Sequence, residues 1–154
     1  MIGDALQMTA TGREQFSKLI SEGKKIQVFI NNSDLYVNDK NEIQTGDTKA
    51  HFNVVETLDM KAHKKSKEAD VQSAEITLFF AAISKVSKDH KSDETPLTFN
   101  DWLGVTFGHE IEHTTNENQT IWLNQGNDPY EQAAYDIGNK IIGEVKAAKK
   151  SADN

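Results

Sequence analysis

The stretch that decides the fold is TFNDWLGVTFGHEIEH, residues 98–113. Thr98 and Asp101 have the spacing of a capping box, in which two side chains satisfy free backbone N–H groups at the start of a helix. An apolar run follows directly. The sequence therefore predicts a helix from residue 98 to about residue 114, passing through Trp102, Leu103, Val105 and Phe107.

The end of this predicted helix carries an HExxH motif. His109 and His113 are one helical turn apart, so their imidazoles lie one above the other and can reach a single ion. Glu110 projects toward the open side of that ion, where it can hold a water molecule. This pattern is typical of a zinc hydrolase, which needs two fixed nitrogens, a third ligand, an open fourth position and a general base. The alternative is that both histidines are ordinary helix residues.

The third ligand must come from outside the motif. No histidine or cysteine follows His113, so the ligand is a carboxylate or water. The extended motif HExxHxxGxxH is excluded, because residues 116 and 119 are Asn and Gln. We expect Glu131, since it shares a helix face with small residues that let two helices approach. Asp136 is the second choice, and the other carboxylates considered are Glu117, Asp128 and Glu144.

Another interpretation of Glu131 stays open. Glu131 and Asp128 have capping-box spacing, so the Glu131 side chain could serve only to bond the free backbone N–H groups at the start of its own helix. The remaining histidines lie apart, beside charged or turn segments, and are predicted to be surface residues: His51, His63 and His90.

The rest of the chain predicts an α+β fold in a single domain, residues 1–154. Helices are expected over 9–23, over 80–88, and from 127 to about 150 with Pro129 at its first position. Strands are expected at 25–30, 51–58 and 75–79, with residues 35–37 pairing back after a turn at 31–34. Loops or frayed helix are expected at 38–49, 59–74 and 114–126.

Composition excludes several classes of protein. The chain has 154 residues, with 17 Lys and Arg against 24 Asp and Glu, and its charge of −7 disfavours binding to nucleic acid. The absence of cysteine excludes disulfides and thiolate metal sites. The longest apolar run, residues 78–83, is too short to span a bilayer. The first eight residues lack the features of a secretory signal.

The motif and its surroundings resemble a gluzincin-type zincin metallopeptidase, in which HEIEH is followed by Glu131 in the segment YEQAAYDIGNKI. More narrowly, four segments in this order resemble the zincin-like metallopeptidase toxin domains of bacterial polymorphic toxins and effectors. They are TGREQFSKLISEGKKIQVFI (11–30), ITLF (76–79), GHEIEH (108–113) and ExxAYxxGN (131–139).

The resemblance implies a small twisted sheet whose edge strand lines the cleft, packed on the HExxH helix and a C-terminal helix. It also implies delivery as a module of a larger secreted bacterial protein, with a cytoplasmic protein as the second choice. A cognate immunity protein is then a possible partner. The substrate would be a protein or peptide.

We therefore expect a zinc-dependent metallopeptidase in which His109, His113 and Glu131 hold Zn²⁺. Glu110 takes a proton from water and passes it to the leaving amine. Two supporting roles are also expected. Tyr135 or Tyr130 would stabilise the oxyanion, and Asp136 or Asn139 would orient a ligand histidine. The alternatives are a zinc hydrolase acting on cell-wall peptides and a non-catalytic binding domain with a degenerate zinc site.

Overall fold

The computed structural model describes residues 1–21, 23–32 and 37–154, and in these ranges the chain is α+β, with one three-stranded sheet and six helices. The strands are β1 (Lys25–Asn31), β2 (Gly46–Asp59) and β3 (Lys64–Phe79). The helices are α1 (Ile2–Leu6), α2 (Ala10–Ser21), α3 (Phe80–Asp89), α4 (Phe99–Glu112), α5 (Asn116–Gln125) and α6 (Asn127–Ala152).

The sheet has the order β1-β3-β2, with β1 parallel and β2 antiparallel to the central strand. Ile76 of β3 lies between Val28 of β1 and Thr48 of β2, and Leu78 lies between Ile30 and Gly46. Both central side chains are fully buried against the helices. Because successive residues of a strand point to opposite faces, Thr48 and Gly46 belong to the same inner face.

Helix α4 forms the centre of the packing. Its N-terminus carries the predicted capping box, with Thr98 and Asp101 each bonded to the backbone of the other. The first turn of α4 meets the end of α6, where Lys149 lies 2.7 Å from Asp101, and the two helices run antiparallel. Close packing depends on two glycines of α4. A side chain at Gly104 would collide with the α1 backbone, and one at Gly108 with Ile141 of α6.

The prediction of a loop or frayed helix at 59–74 is wrong, because β2 and β3 form one long hairpin. The predicted strand at 51–58 lies within β2, but residues 64–68 of its partner strand are all polar and exposed, so no alternation of apolar and polar residues marks them. Residues of opposite charge hold facing positions on the two strands there: Glu56 lies opposite Lys67, and Asp59 opposite Lys64. Strand β2 also begins at Gly46, inside the stretch predicted as a loop.

The predicted connection at 114–126 is also wrong, because it contains helix α5. The helix was missed because the side chains it buries are polar. Asn116, Thr120 and Asn124 bond the backbone of β3 beyond the end of β1, where that strand has no neighbour on this side. The five-residue α1 was also not predicted.

Smaller differences concern the remaining elements. The predicted strands at 25–30 and 75–79 and the helices at 80–88 and from 127 are present with shifted ends. Pro129 is the third residue of α6 rather than the first, a position whose N–H also lacks a helical partner. Of the predicted hairpin partner at 35–37, residues 35 and 36 lie outside the described residues, and Val37 bridges to Ile43.

In the part of the chain that the structure describes, no helix combines the length and apolar character that crossing a membrane requires.

Candidate metal centre

The structure brings both histidines of the motif and Glu131 to one point. Nε2 of His113 lies 3.2 Å from Nε2 of His109, and Oε2 of Glu131 lies 3.5 Å from the first nitrogen and 3.6 Å from the second. The antiparallel packing of α4 and α6 places the first turn of one helix opposite the last turn of the other. This is why residues 18 positions apart in sequence meet.

The chemistry of these three atoms fits a tetrahedral zinc ion. Ligand atoms about 2.0–2.1 Å from zinc at tetrahedral angles lie about 3.3 Å from one another, close to the separations found here. Two imidazole nitrogens and a carboxylate oxygen would repel one another at such distances unless a proton or a cation lay between them. Among the described residues, this is the group of side chains that could hold a metal ion.

Electrostatic shifts agree with a cluster that attracts positive charge. Interaction with His109, and to a smaller extent with His113, lowers the pKa of Glu131 to about 2. Burial opposes a charge on His113, but the interaction with Glu131 and the negative charge of Glu110 outweigh it, so the pKa of His113 is raised.

The ring of His113 is oriented by a residue that the sequence interpretation missed. Nδ1 of His113 lies 2.8 Å from the side-chain oxygen of Asn118, which is fully buried. The amide nitrogen of Asn118 donates to the backbone oxygen of Tyr130 at 3.0 Å, which fixes the direction of the amide. Nδ1 of His113 therefore carries the proton, and a neutral ring presents a lone pair at Nε2.

Asn118 reaches His113 because the chain reverses immediately after α4. Thr115 caps α5 by accepting a hydrogen bond from the backbone of Asn118, and Thr114 is buried in the turn. The signal in the sequence was the threonine at 115 in the N-cap position. It marks a helix start rather than the loop that was predicted.

Glu110 is buried beside the cluster and held by strand β2. The hydroxyl of Thr48 donates to Oε2 of Glu110 at 2.6 Å, while Oε1 lies 4.0 Å from Nε2 of His109. Gly46 makes room for this carboxylate, because a Cβ there would lie only 2.6 Å from Oε1. Burial raises the pKa of Glu110 in spite of the neighbouring histidines and the Thr48 bond.

Two tyrosines flank the histidines. The ring of Tyr130 stacks on His113 with centroids 4.2 Å apart, and Tyr135 meets His109 edge-on at 5.0 Å. The hydroxyl of Tyr130 accepts from Gln119 at 3.4 Å. Tyr135 is 57% exposed and lines the same cleft, so its hydroxyl is the more accessible to a bound molecule.

The cluster lies in an open cleft of about 890 Å³. One wall is formed by the connection that crosses the end of β3 and by the start of β2, residues 38–48, and the other by α4 and α6. β2 lies at an edge of the sheet.

The other candidate ligands lie elsewhere. Glu144 accepts two hydrogen bonds from Thr11 of α2, and Asp136 accepts one from Gln132 and is exposed. Glu117 and Asp128 are exposed, and the cap of α6 is Gly126, with no side-chain bond of the kind a capping box requires. The three other histidines are exposed, as predicted: His51, His63 and His90.

Comparison with protein-family models, with curated protein sequences and with solved structures finds no match for this chain.

Proposed function

We propose that this protein is a zinc-dependent hydrolase of peptide bonds. The observation that carries the proposal is the convergence of Nε2 of His109, Nε2 of His113 and Oε2 of Glu131, at 3.2–3.6 Å from one another, beside the buried carboxylate of Glu110. A structural zinc site would not need a second carboxylate held next to the ligands but outside the ligand set.

Each residue has a distinct task in this proposal. His109, His113 and Glu131 hold the ion, and Asn118 keeps His113 in the tautomer that can bind it. Zinc bound there would lower the pKa of a water molecule and polarise the carbonyl of the substrate.

Glu110 is the general base. Thr48 occupies its Oε2, so Oε1 accepts the proton of the attacking water and then delivers it to the nitrogen of the leaving amine. Tyr135 donates a hydrogen bond to the oxygen of the tetrahedral intermediate.

A peptide substrate is favoured by the position of β2. An extended peptide can add to the edge of a sheet through main-chain hydrogen bonds, and the start of β2 lines the cleft next to Glu110. The same arrangement supports a zincin-like fold, with an edge strand along the cleft and the HExxH helix behind it. Delivery as a module of a larger secreted bacterial protein, with an immunity protein as partner, rests on the sequence resemblance alone.

The experiment compares two glutamates of the same motif. Glu110 faces the cluster, whereas Glu112 is buried on the opposite side, with its Oε2 bonded to Gln15 at 3.0 Å and Lys18 at 3.2 Å. Purified protein should contain about one zinc per chain. Glu110→Gln should keep that zinc and abolish cleavage of a peptide library, while Glu112→Gln should keep both the zinc and the cleavage activity.

Other results would change the assignment. Cleavage that survives Glu110→Gln removes Glu110 from the general-base role. A chain that binds zinc and cleaves peptidoglycan stem peptides but no protein-derived peptide is a cell-wall hydrolase. A chain that folds equally well with and without metal and cleaves neither substrate is a binding domain.

A further inference from the structure

The glycines of α4 and α6 differ in how much space their surroundings would leave for a side chain. A Cβ at Gly104 would collide with the α1 backbone, and one at Gly108 would have to displace Cδ1 of Ile141, so close packing favours glycine at both positions. At Gly138 of α6 a Cβ would meet only Cγ1 of Val105, at an ordinary contact distance of 3.5 Å. Glycine weakens a helix interior relative to alanine, and packing does not require it here.

Gly138 instead borders an apolar recess of the cleft. The recess lies along α4 and α6, on the side of His109 that leads away from His113. Val105 lies one helical turn before His109, and Trp102 lies almost one further turn along α4. We define it by the apolar residues of three helices that line this part of the cleft, beside the polar Thr106 and Asn139: Val86, Trp102, Val105, Gly138 and Ile142.

We propose that this recess receives a bulky apolar side chain, aromatic or long aliphatic, from the residue next to the bond that is cleaved, and that Gly138 sets the size limit. The inference rests on the proposed function, because it places the side chain of a peptide beside the catalytic cluster. A pocket with apolar walls and polar groups at one end is the usual form of a site that orients a substrate.

The size limit follows from the direction in which a side chain at 138 would grow. Its first carbon would rest against Val105, inside the recess, and further carbons would fill the space above that floor. Gly143, on the same helix, is the matched control. It is exposed, and a Cβ there meets nothing within 4 Å.

The first test measures specificity. A peptide that the wild type cleaves is varied at each residue flanking the cleaved bond, from Ala to Leu to Phe. The wild type should prefer Leu and Phe at one of the two positions. Gly138→Val should lower kcat/KM for the Phe peptide by about tenfold or more and leave the Ala peptide within about twofold. Gly138→Ala should have an intermediate effect, and Gly143→Ala none.

The second test needs no catalysis. The sequence has two tryptophans, and Trp122→Phe leaves Trp102 as the only one. In the Trp122→Phe variant, prepared without metal, N-acetylphenylalaninamide should shift the fluorescence emission of Trp102 to shorter wavelength in a saturable manner, while N-acetylalaninamide should not. Adding Gly138→Val should abolish the shift, and adding Gly143→Ala should leave it unchanged.

The two tests separate failure of the recess from failure of the proposed function. Cleavage with no preference for Leu or Phe, or an equal loss on all peptides with Gly138→Val, overturns the recess and leaves the hydrolase in place. Saturable binding that depends on Gly138 in a chain that cleaves no peptide supports the recess and overturns the hydrolase. Absence of a Trp102 shift, or a shift that Gly138→Val does not change, also overturns the recess.

Discussion

The side-chain oxygen of Asn118 lies 2.8 Å from Nδ1 of His113, on the side of the ring opposite Nε2, the nitrogen that faces His109 and Glu131. The contact joins the end of α4 to the start of α5 across a turn of only three residues, 113–115. Because Asn118 is fully buried and its amide nitrogen is bonded to Tyr130, the acceptor is fixed in place before any ion binds. The proposed metal site is therefore preorganised through a residue that is not one of its proposed ligands.

Loss of this contact should weaken metal binding. We expect Asn118→Ala to lower the zinc affinity about 10- to 100-fold, because the ring of His113 loses the acceptor that holds its tautomer and direction. The affinity is measured by competition with a chromogenic chelator. Asn118→Asp, which keeps an acceptor oxygen, should restore most of the affinity. Asn124→Ala, an exposed position on the same helix, should leave it unchanged, and an equal loss in both alanine variants would contradict the role of Asn118.

Gly46→Ala should impair catalysis without removing the metal. A methyl group there would lie 2.6 Å from Oε1 of Glu110, so the carboxylate must move away from the position in which we propose that it accepts a proton. We expect kcat to fall at least about tenfold, since general-base catalysis depends on a correctly placed acceptor. Zinc content measured on the same sample is the control. Unchanged kcat with one zinc per chain would show that the position of Glu110 is not critical.

The ion pair at the other end of α4 predicts how stability depends on pH. Burial alone would raise the pKa of Asp101, but hydrogen bonds from Lys149 and Thr98 outweigh it and leave the pKa below the ordinary value of 3.8. A carboxylate with a depressed folded-state pKa stabilises the fold above its unfolded pKa, and this contribution is lost as the pH falls through the folded value.

We accordingly expect Asp101→Asn to lower the free energy of unfolding by about 1–2 kcal/mol at pH 7, with Lys149 partly exposed to solvent and the pair partly screened. The difference from wild type should shrink below about pH 4. Urea denaturation at several pH values measures it. Asp89→Asn, which removes the exposed pair with Lys85, should cost less than about 0.5 kcal/mol at any pH. A difference for Asp101→Asn that stays constant down to pH 2 would argue against the pair.

The parts of the fold that could be predicted are those with a local signal. The capping box of Thr98 and Asp101 and the apolar run behind it fixed the start of α4, and the three- and four-residue spacing from Tyr130 onward predicted α6. Residues 64–68 of β3 have no such signal, because all of them are polar and exposed, although they pair with β2, as Lys67 does with Glu56. The pairing of these residues with β2 becomes evident only when the two strands are aligned in the structure.

The residues of the candidate site likewise divide into those that the local sequence brings together and those that only the packing of the elements brings together. The histidines and Glu110 lie within one helical turn, so their proximity follows from helix geometry. Placing Glu131 beside them requires the antiparallel packing of α4 on α6, and sequence could only rank it above other carboxylates. Asn118, Thr48 and Gly46 reach the site through a turn and a strand that were predicted as loop, so nothing in the local sequence connected them to the motif.

The choice of Glu131 over the other carboxylates of α6 gives the most direct test of the metal centre. Oε2 of Glu131 lies within 3.6 Å of both histidine nitrogens, whereas Asp136, five residues later, is exposed and bonded to Gln132. Glu131→Gln should lower the zinc affinity at least about 100-fold, because a neutral amide oxygen replaces the charged ligand, while Asp136→Asn should bind zinc as the wild type does. Both affinities are measured by chelator competition, and circular dichroism checks that each variant is folded. Equal affinities for wild type and Glu131→Gln would mean that another group completes the site, and a selective loss in Asp136→Asn would transfer the role to Asp136.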